Sequence, residues 1–252
     1  MSPCGKLFRM VRKLLKTRLS PSLRFALREV ANEWRNQRVH RASSRRASQL
    51  SKGEPIRLNL GSGRHPKPGW VNVDLFDATA DLHLDLREPF PFASNSAVYI
   101  YTEHFFEHLN YPNVSEAMAA QVETADRPSE ARGFLRECWR VLVPGGVLDI
   151  VVPDAERKIG QYVNRHTATF PIGDQWWGPK WCDTPMHCVN YLFRQGREHK
   201  YAYDFETLSS VLKSIRFVEI SRRPFDPTMD APDHVTGSLS VVAKKSSLDG
   251  SR

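Results

Sequence analysis

The chain of 252 residues predicts an α/β fold: a doubly wound, mostly parallel sheet of seven strands with an N-terminal helical extension. Three observations predict it. From residue 56 onward, short apolar runs alternate with stretches of helical periodicity, the pattern of strand–helix–strand units. The first run, Ile56-Arg57-Leu58-Asn59-Leu60, ends on Gly61-Ser62-Gly63, and the second, Trp70-Val71-Asn72-Val73, ends on Asp74. Further strand ends carry Asp85, then Thr102-Glu103-His104, then Pro153-Asp154. Ligands of open α/β sheets bind beyond the carboxyl ends of the strands, so this succession of polar ends marks one rim of an otherwise apolar sheet.

The elements follow in order. Residues 6–19 place Leu7, Val11, Leu14 and Leu15 at helical spacing among Lys and Arg. Ser20-Pro21 reads as an N-cap followed by proline at the first helical position. The helix it opens carries Leu23, Leu27, Val30, Ala31 and Trp34 on one face. Residues 40–54, rich in Ser and Arg, read as a linker. Strands are expected over 56–60, 70–74, 82–85, 97–102, 146–152, 217–222 and 239–244, and helices over 114–123, 129–142 and 205–215. Pro144 cannot continue the last-but-one helix, and Gly145-Gly146 turn the chain into the apolar run that follows. The division is therefore a basic amphipathic arm and linker over 1–55 and a domain over 56–252, interrupted at 160–204 by an aromatic-rich insertion.

Composition narrows the class. A hydrophobic fraction of 40% supports a core of ordinary size. The net charge of +8 suggests nucleic acid, but its distribution argues otherwise. Residues 1–55 hold 14 Lys and Arg against Glu29, Glu33 and Glu54, a balance of +11, which leaves −3 for the remainder. The arm either packs on the domain or attaches to an anionic membrane surface, since a basic helix with Leu, Phe and Trp opposite is the interfacial pattern. Its Arg-rich, acid-poor start also suits an organelle transit peptide. No apolar run approaches the roughly 20 residues needed to span a bilayer. Cys4, Cys138, Cys182 and Cys188 form no C-x-x-C pair and read as free thiols of a reducing compartment. The expected location is cytoplasmic, peripheral at the inner face of the membrane if the arm attaches there.

Gly61 and Gly63 lack a Cβ and let backbone approach a bulky ligand. Asp74, ending the next strand, can accept from two ribose hydroxyls. Together they suggest a nucleoside cofactor. A dinucleotide fits poorly: no third glycine opens a helix, two prolines follow Gly63, and only ten residues separate Gly63 from Asp74 where about 20 are usual. The first crossover helix is expected to be reduced to a loop.

These residues resemble class I S-adenosylmethionine-dependent methyltransferases, a Rossmann-like fold, and within them the branch found beside glycosyltransferases in bacterial surface-polysaccharide biosynthesis. The resemblance rests on Leu58-Asn59-Leu60-Gly61-Ser62-Gly63, Gly69-Trp70-Val71-Asn72-Val73-Asp74, Asp85-Leu86-Arg87-Glu88-Pro89-Phe90-Pro91-Phe92, Glu103-His104-Phe105-Phe106-Glu107-His108-Leu109, Arg140-Val141-Leu142-Val143-Pro144-Gly145-Gly146 and His199–Leu208, in that order over about 56–244. It implies S-adenosyl-L-methionine as cofactor, with Gly61, Ser62 and Gly63 under its methionine part. Asp74 would hold its ribose, Asp85 and Leu86 would flank its adenine, and Asn59 would accept from its amino group. Thr102 would also touch the cofactor, and Glu103 and His104 would lie near the transferred methyl. Ser62 stands where the branch often has cysteine, and Asn59 where many members carry an acid.

Positioning does most of the work in methyl transfer, and a base is needed only for a protonated acceptor. His104 and His108, with Glu103, are the candidates, since His titrates near neutrality. The acceptor implied by the family context is a hydroxyl on a small molecule or saccharide. A nucleic-acid methyltransferase tracking phosphates with the arm, and a non-catalytic scaffold of the same fold, are the alternatives. His104, Glu107 and His108 also spell H-x-x-E-H, a zinc pattern; it lacks a third ligand and a long helix, so no metal is expected. Cys182, His187 and Cys188 have ligand types without ligand spacing. The aromatic insertion is either a lid over substrate or a satellite core. Lys180, Arg194, Arg197, His199 and Lys200 are either partners for an anionic acceptor or a solvated face.

Overall fold

The structure, a computed structural model, describes residues 19–110, 129–166 and 178–247. The expected helices over 6–19 and 114–123, and Phe170, Trp176 and Trp177 of the insertion, lie outside the described residues. Helix α1 (Pro21–Leu50) starts as the sequence predicts, with the Ser20 side chain accepting from the Leu23 N–H and proline at the first position. It then runs unbroken to Leu50, through the stretch expected to be a linker.

Six strands form one sheet: β1 (Ile56–Leu60), β2 (Val71–Val73), β3 (Ala97–Glu103), β4 (Leu142–Pro153), β5 (Phe217–Arg223) and β6 (Ser238–Lys245). The spatial order is β2-β1-β3-β4-β6-β5. The first four are parallel, and β6 runs antiparallel to both its neighbours. Residues 61–70 contain turns but no helix, as expected for the first crossover.

The expected seventh strand over 82–85 reduces to a single bridge, Val73 to Leu82. Its backbone is satisfied elsewhere, by the segment expected to be a linker. The His83 N–H donates to Ser43 Oγ at 3.1 Å, the Asp85 N–H to His40 Nδ1 at 3.2 Å, and the Ala93 N–H to Ser51 Oγ at 2.9 Å. Polar residues that look like linker in sequence thus replace a strand ladder, and the fully buried Ala47 joins the main core beneath them. A buried backbone donor must find some partner, and here helix side chains provide it. β4 also starts earlier than expected: Val143–Gly146 bulge out between the pairs Ala97–Leu142 and Tyr99–Val147. Gly146 fits because a Cβ there would lie 2.8 Å from the Val143 carbonyl oxygen.

Alternation along the strands gives the sheet two unlike faces. One carries Leu58, Leu60, Ile100, Leu148, Ile150, Val241 and Ala243. They share a core with Phe134, Leu135 and Cys138 of α2 (Glu130–Val141) and with Leu208, Val211 and Leu212 of α5 (Phe205–Ser214). The other face carries Asn59, Asn72, Tyr99, Tyr101 and Asp149. Among the described residues, these side chains bond to one another and to loop segments. Tyr101 donates to Asp230 Oδ1 and Tyr99 to Asp149 Oδ2, each at 2.9 Å, while Arg223 bridges Asp149 and Asp230 at 2.6–2.8 Å. This ionic seam holds the chain after β5 against the sheet. Two short helices, α3 (Ala155–Val163) and α4 (Pro185–Arg194), form a small separate cluster with Cys182, Cys188 and Tyr162. Cys138, Cys182 and Cys188 are free and buried.

Candidate functional site

The chain leaves β1 for β2 on one side and reaches β3 on the other, so the strand order reverses between β1 and β3. At such a switch point connections diverge and leave a crevice beyond the carboxyl ends. Leu60 pairs with Thr102 there, and the chain continues into Gly61-Ser62-Gly63 on one strand and His104-Phe105 on the other.

The glycine loop and Asp74 come together as expected. Gly61 and Ser62 donate to the Val73 carbonyl at 2.8 and 3.0 Å, and Gly63 donates to Asp74 Oδ2 at 3.1 Å. Asp74 Oδ1 accepts from the N–H groups of Phe76 and Asp77 at 2.8 and 2.9 Å. Gly61 and Gly63 adopt φ of +68° and +46°, the left-handed region. The close approach that Gly61 permits is to the Phe105 ring: a Cβ at residue 61 would lie 2.6 Å from Phe105 Cβ and Cγ. Ser62 Oγ and Thr102 Oγ1, both buried at the ends of β1 and β3, have no hydrogen-bond partner.

The other cofactor candidates are placed differently. Asn59 donates to the His65 carbonyl at 3.0 Å and to Asn72 Oδ1 at 2.9 Å. Asn72 in turn holds the Lys67 N–H and donates to Asp81 Oδ2 at 3.0 Å. Asn59 is thus a clamp on the loop 61–70. Asp85 lies three residues past the Leu82 bridge, but its carboxylate faces Arg87, which donates to it from Nε at 2.9 Å and Nη2 at 2.6 Å. Burial opposes the charge, yet those hydrogen bonds win and hold its pKa below the usual value. Leu86 is a core residue.

Of the acid–base candidates, Glu103 accepts from the Ala231 N–H at 3.0 Å and from His234 Nδ1, also at 3.0 Å. His234, at the end of the short helical turn Pro232–His234, was not visible in sequence. Burial disfavours its charged form, but the hydrogen bond to Glu103 outweighs this and raises its pKa above the ordinary histidine value. His104 stacks on His234 at 3.8 Å between ring centroids and shares a hydrogen bond between Nε2 and Ser238 Oγ at 2.9 Å. It adopts φ of +49°, an uncommon conformation for a residue with a Cβ. Burial, then the neighbouring histidines 234, 199 and 108, push its pKa down to about 3. That is too low for an efficient base near neutrality. His108 belongs to a different group, with Glu107 and His199.

A cleft of about 400 Å³ opens beside the glycine loop, between Arg64–Pro68 with Trp70 and Thr228–Pro232. Gly61, Asp74 and Asp85 do not line it. Lys67 crosses it, with Nζ donating to the Met229 carbonyl and lying 4.1 Å from the Tyr101 ring centroid. Trp70 stands edge-on to Tyr99 at 5.4 Å. Of the ionic seam, Asp230 stands in the far wall, tied back to Asp149 through Arg223. The sequence carried one signal for it, a lone aspartate in the apolar run Val147–Val152.

No family model and no curated protein matches the chain. Among solved structures it is similar to the CurJ carbon methyltransferase, with 14% identity and a TM-score of 0.41 over 77% of this chain and 49% of that one. It is similar to an S-adenosylmethionine-dependent methyltransferase of Archaeoglobus fulgidus, at 15% identity and 0.40, over 81% and 92% of the two chains. A third is the 1,6-didemethyltoxoflavin-N1-methyltransferase of Burkholderia thailandensis, crystallised with 1,6-didemethyltoxoflavin and S-adenosylhomocysteine, at 12% identity and 0.42 over 98% and 91%. This chain spans about half the length of the first of these.

Proposed function

We propose that this chain is an S-adenosylmethionine-dependent methyltransferase acting on a hydroxyl of a small molecule or saccharide. One observation supports it above the rest: at the switch point, Gly63 is tied to the strand-end carboxylate of Asp74, next to the buried hydroxyl of Ser62, which lacks a partner. A buried hydroxyl without a partner costs about 1–3 kcal/mol, and a polar ligand would relieve it. The residue types suit a cofactor with a ribose and a charged amino-acid tail but no phosphate.

The cofactor supplies a methyl group on a cationic sulfur, already activated for transfer. The protein's part is to place the acceptor, exclude water and remove a proton. Asp74 accepts from the ribose hydroxyls. Phe105 covers Gly61 in this structure, so its ring must swing aside on loading and then close the crevice against water. The cleft beside Trp70 and Lys67 receives the acceptor, where an aromatic face and a cation suit a sugar ring bearing oxygens. His234, two residues beyond Pro232 of the cleft wall and 6.4 Å between ring centroids from His65 of the other wall, would take the acceptor proton at Nε2, because Glu103 accepts from Nδ1–H and fixes the tautomer. This replaces His104 and His108 as base and makes Glu103 the residue that orients it.

The arm keeps its second role under this proposal. Leu23, Leu27, Val30 and Trp34 are exposed along one side of α1, Trp34 by 70%. A basic helix with that side bare suits attachment to an anionic bilayer. No helix among the described residues is long and apolar enough to cross one.

Calorimetry with S-adenosylmethionine and S-adenosylhomocysteine tests the proposal. The wild type should bind both, and Asp74→Ala should bind at least about tenfold more weakly with its fold intact, as loss of a charge-assisted hydrogen bond implies. No heat with either ligand refutes the enzyme and leaves the scaffold. Salt-sensitive RNA binding that requires residues 1–34 would favour a nucleic-acid acceptor instead.

A further inference from the structure

Glu107 is buried to 1% exposure, and neither of its carboxylate oxygens accepts a hydrogen bond. Three imidazoles surround Oε1 instead: His104 Nδ1 at 3.5 Å, His108 Nε2 at 3.9 Å and His199 Nε2 at 3.9 Å. A buried carboxylate without partners is expensive, and rings that approach it without bonding leave a gap between ligand atoms.

Two of the imidazoles are aimed for coordination. His199 Nδ1 donates to the Leu192 carbonyl at 2.6 Å. A carbonyl can only accept, so the neutral ring carries its lone pair on Nε2, toward Glu107. Metal-bound histidines are oriented by this type of second hydrogen bond. His108 packs edge-on to His199 at 5.0 Å, and its Nε2 faces the same oxygen. Ligand atoms of Glu107, His108 and His199 lie within 4.8 Å of one another. His104 also turns Nδ1 toward Oε1, with Nε2 held by Ser238, but its ligand atoms do not fall within this mutual distance. The pattern His104-x-x-Glu107-His108 lacked a third ligand in sequence; the fold brings it from 91 positions downstream. The backbone does this, since the N–H groups of Lys200 and Tyr201 both donate to the Glu107 carbonyl, at 2.8 and 3.3 Å.

We propose that Glu107, His108 and His199 bind one divalent transition-metal ion, zinc by preference. Two imidazoles and a carboxylate are a zinc donor set, whereas magnesium and calcium take oxygen ligands. Tetrahedral zinc with bonds near 2.1 Å places its ligand atoms about 3.4 Å apart. The two separations of 3.9 Å from Glu107 would therefore shrink by roughly half an ångström on binding, and that between the two imidazoles, at most 4.8 Å, by no more than about 1.4 Å, which side-chain rotations allow. A cavity of about 10 Å³, lined by Glu107 and His199 together with Pro153, Tyr201 and Tyr203, adjoins the set. It holds about one water, enough for a fourth ligand. The ion ties the turn after β3, which carries His104 and Phe105, to the segment entering α5. It thereby stiffens the side of the crevice opposite the glycine loop.

The test needs no cofactor or acceptor, so its outcome is independent of the methyltransferase proposal. Chelator-stripped full-length protein, folded by circular dichroism, is titrated with zinc chloride, and bound metal is counted after gel filtration. The wild type should retain about one equivalent, and its melting temperature should rise with zinc, as binding to the folded state alone requires. Glu107→Gln and His199→Asn should each retain less than about a tenth. His187→Asn, on the exposed pair with Asp183, should behave as wild type. Cobalt(II) bound to the wild type should give the intense visible absorption of a tetrahedral site, which decides the matter even if the variants fail to fold. A folded wild type that holds no zinc and leaves cobalt in its weakly absorbing aqueous form overturns the proposal. So does full zinc retention by both ligand variants.

Discussion

Replacing Gly61 by alanine separates two reasons for a glycine at the end of β1. The first is conformational: φ is +68°, a region that costs a residue with a Cβ about 1–2 kcal/mol. The second is steric. The new methyl group would lie 2.6 Å from Phe105 Cβ and Cγ and 2.8 Å from Cδ2, while carbons rest about 3.5–4.0 Å apart. The ring must retreat by roughly 1 Å. It is packed on Phe134 with centroids 5.5 Å apart, so the move costs a further 1–3 kcal/mol or so, as overpacking does. Gly63→Ala isolates the first reason, because φ there is +46° and no atom lies within 4 Å of its added Cβ. Urea denaturation should give a loss of about 1–2 kcal/mol for Gly63→Ala and about 2–5 kcal/mol for Gly61→Ala, with unchanged m-values. Equal losses for the two would show that Phe105 does not rest on Gly61 and would remove it as the cover of the crevice.

Three other variants probe the remaining features. If His234 is the base, methyl transfer should fall as pH drops through its pKa, which Glu103 raises above the ordinary histidine value; Glu103→Gln should move that limb of the kcat/KM profile to lower pH. Arg223→Met leaves Asp149 and Asp230, each about 1% exposed, without their shared counter-charge, and should cost about 3–5 kcal/mol at neutral pH. Burial already lifts Asp149 to about 6 against the pull of Arg223. A carboxyl with a folded-state pKa above its unfolded value loses stability as pH rises through it, so the deficit, read from urea midpoints, should grow between about pH 5 and pH 8. Deletion of residues 1–34 should leave a folded domain, whereas deletion of 1–50 should give an aggregating one, since it strips Ala47 from the core and leaves the N–H groups of His83 and Asp85 without acceptors. Solubility and circular dichroism distinguish them.

What the sequence made legible was local. β1, β2, β3, β5 and β6, the cap at Ser20 and the meeting of Gly63 with Asp74 all follow from runs of a few residues whose chemistry is self-contained. Partnerships across the chain were hidden. The stretch over 82–85 has strand composition, but Ser43 and His40 take its N–H groups, and nothing within either segment announces the other. The linker expectation for 40–54 failed for the same reason, because Ser and Arg belong equally to a loop and to the polar side of a docked helix. His234 finds its partner in Glu103, 131 positions earlier, and His199 is brought to Glu107 by the backbone bonds of Lys200 and Tyr201. Leu86 and Asn59 show the reverse limit: a motif locates a segment, while the fold decides whether a side chain faces ligand, core or loop.

Helix α1 is 30 residues long, about 45 Å at 1.5 Å per residue. It is held to the body from Glu33, which pairs with Arg87, through His40, Ser43 and Ala47, and no break separates that part from the exposed apolar side chains before it. The helix is therefore a stiff boom instead of a tether. If a surface grips Leu27 and Trp34, it sets the orientation of the whole body and not only its distance, because a continuous helix transmits angle as well as length.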